Sequence, residues 1–167
     1  MFLREGIKGV RIGELAAEAS CSRSTLYELA PSKEELLQLV LDRILRRIMR
    51  RGAEAIARAG DPANGVHAML TSGALDFAAL GPQFLEAVRQ DPPARRLFER
   101  RIAESSDILE GLIADAVTGG QFRRVDPAIA AEAIIAIVMH FTDPHSFGGT
   151  ARLGELIDVF LDGLAAR

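Results

Sequence analysis

The sequence predicts an all-α protein, and three observations carry that reading. Apolar residues recur at helical spacing along nearly the whole chain, no segment alternates as a strand does, and Ser, Asp and Pro stand where helices begin. With 167 residues, 49% of them hydrophobic, the chain can bury a core without staples. The single cysteine, Cys21, cannot form an intrachain disulfide. The longest uninterrupted apolar run, residues 133–139, falls far short of the roughly 20 needed to span a bilayer. Residues 1–6 lack the apolar core of a signal peptide, so a cytoplasmic setting without membrane contact is expected.

Taken in order, residues 12 to 29 read as two short helices about a tight turn at Ser20-Cys21. Ile12, Leu15, Ala16, Ala19, Cys21, Leu26 and Leu29 are expected to face inward, Ala16 is small where the helices cross, and Ser22 caps the second helix. No second Cys or clustered His accompanies Cys21, which favours a packing role over a redox or metal one. Ser32-Lys-Glu-Glu35 is a capping box that opens a long helix over residues 33–59, ended by Gly60. Asp61-Pro62, Asp91-Pro92 and Asp126-Pro127 repeat one device. The Asp accepts from free helix N–H groups and the Pro sits at the first helical position, so three more helices begin there. A shorter helix starts near Pro82, Gly119-Gly120 punctuates the chain, and a last helix covers residues 150–165.

Two of these helices have unusual faces. Residues 128–141 are apolar almost all round, which suits a helix covered on both sides. In the last helix Leu153, Leu156, Ile157, Phe160, Leu161 and Leu164 form a continuous stripe. Paired with a second copy, this stripe and Ile134, Ile137, Val138 and Phe141 would make a four-helix interface, so a homodimer is expected.

Net charge is -3, but it is unevenly spread: up to Arg51 there are ten basic residues against seven acidic. A modestly basic head on an acidic body fits a nucleic-acid reader, as it also fits ordinary solvated helix faces. The polar residues on the second short helix are Arg23, Ser24, Thr25, Tyr27 and Glu28. Hydroxyls and Arg at the start of a recognition helix can donate to phosphate oxygens and base edges.

The stretch "GELAAEASCSRSTLYELAPSKEELL" resembles the DNA-binding signature of TetR-family transcriptional repressors. The matching positions are Leu15, Ala16, Ala19, Ser22, Thr25, Leu26, Tyr27, Ser32, Lys33, Glu34, Leu36 and Leu37. The resemblance covers the head by motif and the remaining helices by length and order only. It implies an N-terminal helix-turn-helix DNA-binding head over residues 1–46 and a C-terminal helical ligand-binding and dimerisation domain over 47–167. By the same resemblance Thr25, Tyr27 and Lys33 would contact phosphates of a double-stranded operator, Arg23 and Ser24 would reach bases, and Arg11 and Ser22 would belong to the same surface. The body would bind a small-molecule effector, with Met69, Leu70, Phe77, Phe84, Ile108, Leu112 and Met139 as apolar lining and His67 and His140 as polar handles. Such apolar residues are more often plain core, and such histidines more often ordinary interior or surface residues. No cofactor is implied.

The chain departs from the family pattern at four places. Ser20 stands where Gly is usual, Leu29-Ala30 replaces His-Phe, and Val10 replaces a capping Thr. The stretch before Ile12 is short, so the first helix of the head is expected to be largely missing. These departures define an alternative function, a ligand-binding helical dimer whose degenerate head no longer binds DNA. An enzyme is not expected: the one candidate constellation, His140, Asp143 and His145, sits at a helix end without metal-binding spacing.

Overall fold

The computed structural model describes residues 10–142 and 152–166, with backbone alone for Ala78, Phe141, Thr142 and Leu153. The expected first head helix, the interface roles of the Phe141 and Leu153 side chains, and Asp143 and His145 lie outside the described residues. The fold is all-α. Helices α1 (Ile12–Glu18), α2 (Arg23–Leu29), α3 (Lys33–Arg58), α4 (Pro62–Ala78), α5 (Pro82–Gln90), α6 (Pro92–Thr118), α7 (Pro127–Thr142) and α8 (Leu153–Leu164) follow in order. No strand occurs among the described residues; a single antiparallel bridge joins Phe122 to Ala165.

The helix starts follow from local chemistry. The Ser32 hydroxyl accepts the N–H of Glu35 at 3.1 Å and opens α3. All three Asp-Pro pairs cap as the sequence predicts. Asp61 accepts the N–H of Asn64 at 2.9 Å, Asp91 that of Ala94 at 2.8 Å, and Asp126 those of Ala128 and Ile129 at 3.0 and 3.2 Å. The backbone bond from Asn64 also holds the Asp61 carboxyl below the usual aspartate range, because it stabilises the ionised form.

The chain forms two compact units. One comprises residues up to Arg46 together with Ala79–Arg100; the other comprises Arg47–Ala78 and Arg101–Arg167. In the first, Leu37, Leu41 and Phe84 are fully buried, and Gln38 on α3 donates to Asp91 at 3.1 Å. In the second, α4, α7 and α8 pack on one another. Their core holds Val66, Leu70, Leu109, Ile113, Ala130, Ala131, Ile134, Val138, Ile157 and Leu164. At Gly65 an added Cβ would lie 3.3 Å from Leu112, so α4 and α6 approach closely there. The C-terminal end is clipped down by backbone bonds from Arg123 to Leu164 and from Ala166 to Gln121, at 2.8 and 3.0 Å.

Helix α7 keeps one face uncovered within the chain: Ile129, Glu132, Ala136 and His140 share an exposed face, Ile129 at 67% exposure. The sequence is apolar all round, but α4 and α8 cover only part of the circumference.

Candidate nucleic-acid interface

The turn between α1 and α2 is a Schellman closure. Cys21 N–H reaches back to the Ala16 carbonyl at 2.9 Å and Ser20 N–H to Ala17 at 3.1 Å, with Ser20 in the left-handed region at φ 52°. The same pair of bonds closes α6, where the left-handed residue is Gly120 at φ 72°. Ser20 therefore occupies a position built for glycine. Ala16 is 4% exposed beneath this turn, as expected of a residue where two helices cross.

Helix α2 begins in a cluster of hydroxyls. Ser22 Oγ accepts the N–H of Thr25 at 3.1 Å and lies 2.7 Å from Ser24 Oγ and 2.8 Å from Thr25 Oγ1. A hydroxyl has one donor and two acceptor sites, so three bonds fill Ser22. Ser24 and Thr25 each keep unused capacity, and both are exposed. Of the three hydroxyls, these two are equipped to meet phosphate oxygens or base edges, while Ser22 holds them in place.

The cations are arranged differently from one another. Arg23 is exposed and lies back over Gly13 of α1: its Nη2 is 2.5 Å from where a Gly13 Cβ would stand. Arg11 is the N-cap residue of α1 without a side-chain cap bond, and its guanidinium is 3.7 Å from Glu14. Lys33, half-buried, is the first residue of α3, where backbone N–H groups also point outward. Tyr27 is 52% exposed. Val10, expected to replace a capping Thr, stands one residue before the N-cap and is fully buried. Three inward assignments are corrected: Leu29 is 63% exposed, Cys21 only half-buried and Ala19 exposed, while Ala30, next to Leu29, is 3% exposed and takes the inward position. Ala19 already belongs to the turn.

Six of the seven apolar residues considered for the effector site belong to the second unit and Phe84 to the first. Met69, Leu70 and Leu112 belong to or border one core. Phe77 is buried and Met139 half-buried in the same unit. Phe84, however, is fully buried in the other unit. Ile108 is 43% exposed, because the inward stripe of α6 runs through Leu109, Ile113 and Ala116, one residue out of step with it. His67 is half-exposed and faces Asp158 at 3.4 Å; His140 is exposed.

Sequence reasoning passed over an ion pair in this unit. Arg51 on α3 bonds Asp76 on α4, and the second Asp76 oxygen is buried without a hydrogen-bond partner. The signal was an acid inside the apolar run of residues 74–80. On α7 and α8, an apolar groove is lined by Ile134, Ile137, Val138, Leu156, Ile157 and Phe160. Ile134, Val138, Ile157 and Leu164 are buried in the chain's own core, whereas Ile137, Leu156, Phe160 and Leu161 remain half-exposed. Among the described residues no group of three His, Cys, Asp or Glu could hold a metal, and no helix is long and apolar enough to cross a membrane.

Residues 1–40 match the family model of bacterial regulatory proteins, tetR family. No curated protein is detectably similar in sequence. Among solved structures, a transcriptional regulator from Saccharomonospora viridis in complex with choline is similar at 18% identity. It covers 99% of this chain and 92% of its own, with a TM-score of 0.80. The TetR family transcriptional regulator PfmR from Thermus thermophilus is similar at 22% identity, covering 96% and 90%, with a TM-score of 0.71. AibR, in complex with isovaleryl coenzyme A and operator DNA, is similar at 18% identity over 96% and 90%, with a TM-score of 0.66. At these identities the likeness is one of fold.

Proposed function

We propose that this chain, whose first 40 residues match the tetR family model, is a TetR-family regulator that binds a palindromic operator as a homodimer and represses transcription until a small molecule releases it. The observation that carries the DNA-binding part is the start of α2. There the filled Ser22 hydroxyl holds two exposed hydroxyls with free capacity, beside an Arg23 that has no ion-pair partner among the described residues. Such groups exchange water for phosphate or base edges at little desolvation loss. Division of labour follows the sequence: a head over residues 1–46 and an effector-binding, dimerising body over 47–167, acting in the cytoplasm.

The homodimer reading rests on the half-exposed Ile137, Leu156, Phe160 and Leu161 around the α7–α8 groove. A second copy would cover apolar surface that one chain leaves to water. The effector reading is supported by two similarly folded regulators that hold choline and isovaleryl coenzyme A, one a small cation and the other a large anion. Effector class must then be set by this chain's own polar groups.

One observation favours the alternative, a ligand-binding dimer with a degenerate head: Leu29, where the family pattern has His, presents an apolar side chain at 63% exposure. Selection of bound sequences from a random duplex library, followed by titration of the winner at several salt concentrations, separates the two. Recovery of a palindrome whose affinity falls steeply with salt supports the regulator. Small-molecule binding with no DNA affinity at any salt supports the alternative.

A further inference from the structure

We infer that Gly13 is a specificity-positioning residue: the space over its α carbon sets the direction in which Arg23 leaves the recognition helix, and so which base pair Arg23 addresses. This rests on the DNA-binding reading and adds to it a residue outside the recognition helix.

The geometry is specific. Arg23 Nη2 lies 2.5 Å, and Cζ and Nε 3.0 Å, from the position of a Gly13 Cβ. The guanidinium thus lies against the first turn of α1, in a place that any side chain at residue 13 would fill. Glycine weakens a helix relative to alanine, so its presence in a helix of seven residues has a local disadvantage. What it provides is a seat for Arg23. No salt bridge fastens that group among the described residues, and Glu14, the acid next to Gly13, faces Arg11. A guanidinium held by shape alone is aimed but not locked. It can move onto a base edge, and its starting direction is fixed by the backbone it rests on.

The atoms over Gly13 are the far end of a flexible side chain, so Gly13→Ala displaces Arg23 and not the backbone. The variant should melt at or above the parent temperature and bind random duplex DNA within about twofold of it, since no phosphate contact is removed. Its preference at the base pair read by Arg23 should weaken or change by about tenfold, the discrimination one aligned Arg provides. Sequence selection is to be run on the full chain, on Gly13→Ala, on Arg23→Ala and on the double variant. In the Arg23→Ala background, Gly13→Ala should add nothing. If the parent enriches one sequence and Gly13→Ala enriches the same one with equal preference, or if Gly13→Ala acts equally without Arg23, the role of Gly13 is overturned while the DNA-binding reading stands. If the parent enriches no sequence at all, the DNA-binding reading falls and this inference with it.

Discussion

Gln38 on α3 donates from Nε2 to Asp91 Oδ2 at 3.1 Å, and the same oxygen accepts the Ala94 N–H at 2.8 Å. One carboxylate therefore caps α6 and ties its start to the helix that carries Lys33. Asp91→Ala should destabilise the chain by about 1–3 kcal/mol, a lost cap plus a lost partly buried bond. Gln38→Ala should lose about 1 kcal/mol by itself and much less in the Asp91→Ala background. Urea titrations of the four proteins measure the coupling; fully additive losses would mean that the two side chains act independently.

Ser20 sits at φ 52° in a closure whose counterpart at the end of α6 uses glycine. A left-handed non-glycine residue is disfavoured by about 1–2 kcal/mol, less where a short polar side chain softens it. Ser20→Gly should raise stability by about 1 kcal/mol, a few degrees in melting temperature for a chain of this size. Affinity for operator DNA should stay within about a factor of two, because Ser20 belongs to the turn and not to the hydroxyl cluster. A fall in melting temperature would contradict the strain.

These cases show which parts of the molecule were readable in advance. Caps and turns were, because their chemistry is local: a Ser or Asp accepts an N–H two or three residues on, and a Schellman turn demands one left-handed residue. Assignments that depend on partners were not. In a helix as short as α2, Leu29 and Ala30 are one residue apart and both follow Leu26 at helical spacing, so periodicity alone does not say which is buried. The packed chain buries Ala30. Likewise Phe84 and Leu70 look alike in sequence but serve different cores, and the seat of Arg23 on Gly13 crosses a turn that no pattern of residues specifies. The Arg51–Asp76 pair was half legible: an acid among apolar residues announces a partner, but not which one.

Phe160 is half-buried on the rim of the α7–α8 groove with Ile137 and Leu156. If a second copy covers this groove, two Phe160 side chains leave water per dimer. Replacing each with Asp should weaken association by about 3 kcal/mol or more, over roughly a hundredfold in dissociation constant. Light scattering should then give the mass of a single chain while the far-ultraviolet helix signal is retained. A Phe160→Asp protein that stays dimeric at low micromolar concentration would place the interface elsewhere.

Arg23 and Lys33 should separate two components of DNA binding that a single affinity would merge. Lys33, at the first turn of α3, is placed to meet a phosphate, and phosphates are the same in every sequence. Lys33→Ala should therefore lower affinity for operator and random duplex by the same factor. It should also flatten the dependence of log affinity on log salt by about one unit per head, because fewer counterions are released on binding. Arg23, exposed beside the hydroxyl cluster, can meet a base edge, where its loss counts only on the correct sequence. Arg23→Ala should weaken operator binding by about 1–3 kcal/mol while random duplex is bound nearly as before, so the ratio between them shrinks. Titrations of both variants on both duplexes at three or more salt concentrations check the division. Equal losses on operator and random DNA for both variants would assign Arg23 to the backbone and leave base reading to Ser24.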